Sequence, residues 1–194
     1  MHRWIAAAAM ALMSAAATLA QDPEWLRMWE EAQRQRPRTI GSTARIAPAG
    51  EPGTPMVIHG RVYARDGRTR AAGVIVFAYQ TDRTGVYHEP GARIWRLRGW
   101  ARTDAQGRFE LHTIRPAPYP RGRTPAHVHL VIEGTGVPRQ WTPELRFADD
   151  PFVSAAEKRE SEALGAFGPV RPVTTRNGTQ HVELHIRISD EGRF

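Results

Sequence analysis

From residue 56 onward the chain is cut into short, alternating apolar stretches by turn residues, and that punctuation leaves few architectures open. Residues 56–64, 73–80, 108–113, 126–132 and 181–188 each read as strands. Glycine, proline and Asp-Gly turns separate them, Asp66-Gly67 and Gln106-Gly107 being the plainest. Short strands punctuated in this way predict a mainly β protein, an antiparallel β-sandwich over residues 56–194. A chain of 194 residues is long enough for one such domain with a real core.

Upstream of residue 56 the character changes twice. Met1-His2-Arg3 is a short basic start, residues 4–19 are apolar and alanine-rich, and Thr18-Leu19-Ala20 offers small residues where a peptidase would cut. Residues 1–20 therefore read as a signal peptide cleaved after Ala20, which implies a periplasmic or secreted protein. Membrane contact would arise only through an uncleaved segment. Residues 21–55 read as a short N-terminal helix and a linker. Asp22 is placed to cap the helix, Pro23 suits its first turn, and Trp25, Met28 and Trp29 share one face. That face is expected to pack on the body of the protein or on a second subunit of a homo-oligomer. Residues 36–55, rich in proline and glycine, read as extended. The chain has no cysteine, so disulfides are excluded.

The formal charge of +7 raises the question of nucleic acid. The arginines are scattered, however, and no recognition helix or basic-aromatic motif accompanies them, so a generally basic surface is the better reading.

Chemistry concentrates between residues 85 and 132. If 126–132 is a strand, Ala126, Val128, Leu130 and Ile132 face one way, and His127 and His129 face the other. Two imidazoles on one strand face, about 7 Å apart along the chain, can converge on one metal. The segment at 180–188 is an internal control: Val182, Leu184, Ile186 and Ile188 make a core face, and His181, Glu183, His185 and Arg187 make a solvated one. No metal is assigned there. Company separates the two, because Tyr119 and Tyr87 lie just upstream of the His-x-His pair in a chain with only four tyrosines. Phenolate oxygen is a hard, strongly donating ligand suited to ferric iron, Fe(3+), and imidazole completes a mixed N/O set.

These residues sit in runs that resemble the intradiol ring-cleavage dioxygenases, the catechol and protocatechuate dioxygenases among them. The likeness covers about residues 55–155. It runs through Gly85-Val86-Tyr87, then Ile114-Arg115-Pro116-Ala117-Pro118-Tyr119-Pro120, then Pro125-Ala126-His127-Val128-His129. The resemblance implies the family's sandwich with ferric iron on Tyr87, Tyr119, His127 and His129, a catechol substrate, O2 as co-substrate and a muconate-type diacid as product. It gives Tyr119 the role of the tyrosinate that leaves the metal and takes up a substrate proton, with His129 opposite it. Two departures accompany the match. The family places a catalytic arginine, which stabilises carbanion character on the substrate, three residues before the first histidine; Thr124 stands there, and Arg123, one position earlier on a loop, is the catalytic candidate in its place. Further on, Glu144 occupies the position of a glutamine near the substrate, and a carboxylate there would change the charge of the pocket. His88, next to Tyr87, reads as a surface histidine, and Tyr63 and Tyr79 read as packing residues. Two other readings stay open, a catechol-binding protein of the same fold without turnover and a transthyretin-like β-sandwich interaction module.

Overall fold

The computed structural model describes residues 23–190. The expected leader over 1–20 lies outside the described residues, as does the capping Asp22. No helix among the described residues is long and apolar enough to cross a membrane.

Among the described residues, eleven strands form two packed sheets. The first sheet holds β1 (Thr43–Arg45), β5 (Arg108–Ile114), β2 (Pro55–Tyr63), β11 (Thr179–Arg187) and β10 (Thr174–Arg176), in that order across the sheet. The second runs β4 (Leu97–Arg102), β3 (Ile75–Gln80), β6 (His127–Gly134), β8 (Leu145–Phe147) and β9 (Val170–Arg171), with β7 (Val137–Trp141) hairpinned on β6. All five strands read from the sequence are present, with no end moved by more than two residues. The sandwich is not wholly antiparallel: β1 pairs with β5, β2 with β11, and β8 with β9 in parallel. Each of these pairs joins segments far apart in the chain, which long crossovers permit and hairpins do not. The stretch 36–55, read as a linker, instead supplies β1 and buries Ile46 and Ala47 in the core. Its prolines and glycines hid a three-residue strand.

Between the sheets lies one continuous core, including Ile58, Val62, Val76, Leu97, Leu111, Val128, Leu130, Ile132, Phe147 and Leu184. The alternation read for β6 and β11 holds, since Val128, Leu130, Ile132, Val182, Leu184 and Ile186 all face this core.

The two sheets differ on their outer faces. That of the five-stranded sheet is polar. That of the six-stranded sheet is covered by helix α1 (Pro23–Arg34). Trp25, Met28, Trp29 and Ala32, spaced at i, i+3, i+4 and i+7, are all buried against Phe77, Tyr79, Trp95 and Val131. Trp25 and Trp29 stack with ring centres 5.5 Å apart, and the Trp25 indole N–H donates to the Tyr79 hydroxyl at 3.0 Å. The helix face therefore packs on the body of its own chain. β3 and most of β6 are consequently buried on both faces. Trp95 and Trp100 belong to this covered layer, Trp95 stacking on Tyr79 at 4.0 Å and Trp100 lying 4.9 Å from Phe77.

Candidate metal centre

Two loops and one strand build the site on the covered face. β6 carries His127 and His129, both buried, and each gains an acceptor for its Nδ1 proton. His127 Nδ1 lies 2.7 Å from the Pro125 carbonyl, and His129 Nδ1 lies 3.3 Å from a Glu144 carboxylate oxygen. These acceptors assign the proton to Nδ1 and leave both Nε2 lone pairs facing the same point. The buried carboxylate of Asp150 fixes the entry to β6, accepting from the Ala126 amide at 2.9 Å and from the Phe152 amide at 2.8 Å. Tyr79, opposite His129 in the β3–β6 register, stacks on its ring at 4.6 Å and 12°. Tyr79 is a packing residue, as read, but what it packs against is a histidine of the site.

The tyrosines arrive on loops that are fastened to each other. After β3 the chain turns on Asp82, whose carboxylate accepts from the amides of Thr84 and Val86 at 2.7 and 3.1 Å. The turn needs Gly85 at φ +82°, and a Cβ there would meet the Pro118 carbonyl oxygen at 2.2 Å. Ala117 donates its amide to the Asp82 carbonyl at 3.0 Å, and the Thr81 hydroxyl donates to the Ala117 carbonyl at 2.7 Å. Arg96 braces the Tyr87 loop, donating to Glu51 at 2.6 and 2.8 Å and to Asp82 at 3.1 Å. Tyr87 and Tyr119 are thus delivered together.

Their donor atoms meet those of the histidines. Tyr87 Oη lies 2.8 Å from Tyr119 Oη, 3.2 Å from His127 Nε2 and 2.8 Å from His129 Nε2. Tyr119 Oη is 3.2 Å from His127 Nε2, and the two Nε2 atoms are 3.1 Å apart. Neighbouring donors on one metal about 2 Å away stand about 3 Å from each other. The chemistry of the set also fits a cation. Burial pushes the Tyr87 hydroxyl well above the usual phenol range, and the neighbouring Tyr119 adds to this; burial raises Tyr119 as well. Burial holds His129 neutral, with its pKa lowered to about 3. Crowded phenol and imidazole donors are stabilised by a positive ion, which also draws the proton from a phenol. Hard phenolate and imidazole donors suit ferric iron.

The other residues singled out in the sequence stand differently toward the four donors. Arg123 is exposed, with its guanidinium 5.4 Å from the Phe152 ring centre, and the structure does not bring it to them. His88 is half-buried, its Nδ1 at 3.0 Å from the Glu89 carbonyl. Glu144 meets His129 at Nδ1, and its carboxylate stands within 4.8 Å of ring nitrogens of both His127 and His129, so these three side chains also group as potential metal donors. Burial alone would raise its carboxyl, but His129, His127 and Arg146 together hold it below the usual carboxylate range. Open depressions elsewhere, one of about 310 Å³ beside His59, Glu110 and His185, lie on the polar outer face of the other sheet.

Residues 34–163 match the sequence profile of the family described as Dioxygenase, and with that span the chain belongs to the intradiol ring-cleavage dioxygenases. It is similar to catechol 1,2-dioxygenase 2 of Acinetobacter lwoffii, 27% identical over 128 residues that make up 57% of this chain and 46% of the relative. It is also similar to catechol 1,2-dioxygenase 1 of the same organism, 31% identical over 119 residues, 51% of this chain and 38% of that protein. The chain thus spans less than half the length of these relatives. Among solved structures, the dioxygenase domain of a dioxygenase–carbohydrate-binding fusion from Streptomyces sp. SirexAA-E shares the fold, with a TM-score of 0.59 at 24% identity over 75% of this chain and 86% of that one.

Proposed function

We propose that this chain is a ferric intradiol dioxygenase that opens a catechol ring with O2 between the two hydroxyl-bearing carbons, giving a muconate-type diacid. Tyr87, Tyr119, His127 and His129 are the ligands in this reading. The observation that carries it is the set of five donor separations between 2.8 and 3.2 Å among those four side chains. Ferric iron held there supplies the Lewis acidity that a chelating catechol needs. The protein residues divide the remaining work. Tyr87 is in contact with all three other donors, whereas Tyr119 touches only Tyr87 and His127. Tyr119 is therefore the donor more readily released, and its phenolate oxygen is the base that accepts a catechol proton. Helix α1 and the Trp95–Tyr79–His129 stack keep water from the buried side of the histidines. We also propose export, on the strength of the apolar run that ends at Ala20.

The test is direct. Purified protein is expected to carry about one iron per chain, to be red-brown from tyrosinate-to-iron charge transfer, and to consume oxygen when given catechol. Tyr119→Phe should keep part of its iron but lose most turnover, and Tyr87→Phe should lose iron and colour more severely. A Tyr119→Phe enzyme as fast as the parent would sink the proton-acceptor role. A parent protein whose colour shifts with catechol while no oxygen is consumed would make the chain a catechol-binding protein instead.

A further inference from the structure

The two histidines of the site are held by unlike partners. The Nδ1 of His127 faces a neutral backbone carbonyl, that of Pro125, at 2.7 Å. The Nδ1 of His129 faces the carboxylate of Glu144 at 3.3 Å. Glu144 does not stand alone. Its other oxygen accepts from Arg146 Nη2 at 3.1 Å, and Arg146 Nη1 reaches Glu157. Glu157 in turn closes a capping box with Ser154 at the start of helix α2 (Ala155–Ala163), accepting from the Ser154 amide at 2.8 Å. Arg146 is placed for this by pairing with His127 across β6 and β8, which sets both side chains on the covered face. The outcome is an ordered relay: helix α2 holds Glu157, Glu157 holds Arg146, Arg146 holds Glu144, and Glu144 holds His129.

We infer that Glu144 is a positioning residue for His129, fixing its ring and its Nδ1–H tautomer and making it the stronger nitrogen donor of the pair. The inference rests on the metal-site reading proposed above. The physics is that of an imidazole hydrogen-bonded to a carboxylate: the anion polarises the ring, and Nε2 pushes more charge onto whatever cation it meets. A carbonyl does this less, so His127 is the weaker donor. Tyr79, stacked on the His129 ring, removes its remaining freedom to swing. Glu144 therefore sets the electron density at the metal from behind the histidine.

Three variants separate charge from orientation. E144Q keeps an acceptor for the Nδ1 proton and removes the charge; E144A removes both; R146A leaves the carboxylate but unfastens it. In metal-free protein, nitrogen-15 NMR of the imidazole should report an Nδ1–H tautomer for His129 in the parent and in E144Q, and an Nε2–H or mixed tautomer in E144A. In iron-loaded protein, E144Q should move the tyrosinate charge-transfer band to longer wavelength, because a less well-supplied ferric ion is the better acceptor. E144A should weaken iron about tenfold or more in chelator competition, and R146A should fall between E144A and the parent. An unchanged Nδ1–H tautomer in E144A, or band position and iron affinity equal to the parent in both Glu144 variants, would overturn the assignment. Should the parent show the Nδ1–H tautomer and its loss in E144A yet take up no iron, the proposed function fails while the positioning of His129 by Glu144 stands.

Discussion

The outer faces of the two sheets carry the same kind of side chain and make opposite use of it. On the five-stranded sheet, His59, His112, His181 and His185 stand among Glu110, Glu183 and Arg61, which puts half of the chain's eight histidines on one surface. His59 Nε2 even lies 3.1 Å from His181 Nδ1, and Glu110 bridges His59 and His112. On the six-stranded sheet, His127 and His129 are buried, stacked and supplied with Nδ1 acceptors. What distinguishes them is cover. Helix α1 and the tryptophan layer close one face, whereas on the other Phe167 lies over the Tyr63–His185 end and the His59 side chain is 47% exposed. An imidazole pair in water is a solvated pair. The same pair under an apolar roof, with two phenols delivered beside it, is a cluster of donors that favours a cation.

The sharpest way to break this comparison is to exchange the roles of the two histidine pairs. His129→Ala should cost iron affinity and oxygen uptake by at least about 100-fold, while His181→Ala leaves both within about twofold. Equal losses, read from bound iron and an oxygen electrode, would mean that cover does not decide the chemistry. Next in size is the roof itself. Trp25→Ala should destabilise the fold by about 3–5 kcal/mol, since it removes a buried indole and the donor to Tyr79; His59→Ala should cost within about 0.5 kcal/mol. Guanidinium unfolding of both variants measures the contrast.

Gly85→Ala comes third. Its positive φ and the Pro118 carbonyl 2.2 Å from the added Cβ predict a loss of about 2–4 kcal/mol. Iron should leave with it, because both tyrosines shift. The smallest effect concerns pH. The His129 pKa is lowered to about 3 in the folded chain, so below the ordinary histidine value the unfolded chain takes up a proton that the folded chain refuses. The stability of iron-free protein should be unaffected by this group above pH of about 6.5 and fall as pH drops from there toward 3, by about 2 kcal/mol at pH 5. Denaturant titrations at pH 7.5 and 5 test it, and in His129→Gln the fall should shrink.

The sequence disclosed the strands that alternate cleanly and the two faces of β6, because a core facing one way and histidines facing the other leave a period of two. It disclosed helix α1 by its aromatic spacing but not what that face would cover. β4 escaped notice because Arg98, Gly99 and Arg102 interrupt its apolar rhythm; in the fold, Arg98 donates hydrogen bonds to the Gln35 side-chain oxygen and to the Trp95 carbonyl. β7 to β10 are two to five residues long, too short for any period to show. Helix α2 did leave a signature, Ser154 followed three residues later by Glu157, a capping box legible without the structure. Of the site, the four donors were legible by type and order. The Glu144–His129 contact was not, since it depends on β8 lying beside β6. Neither was the anchoring of β6 by Asp150, 24 residues downstream of the amide it holds.

The seating of Gly85 against the Pro118 carbonyl reaches into how such a protein can change over generations. Because the two tyrosine loops meet backbone to backbone, neither can lengthen, shorten or stiffen without displacing the phenolate carried by the other. Substitutions there are therefore expected to act in pairs, and a library that randomises one loop alone should return mostly colourless protein. One that varies residues 83, 84, 86 and 115–117 together, with Asp82, Gly85, Pro118 and Tyr119 held fixed, keeps the contact. The route to change in these loops runs through paired substitutions.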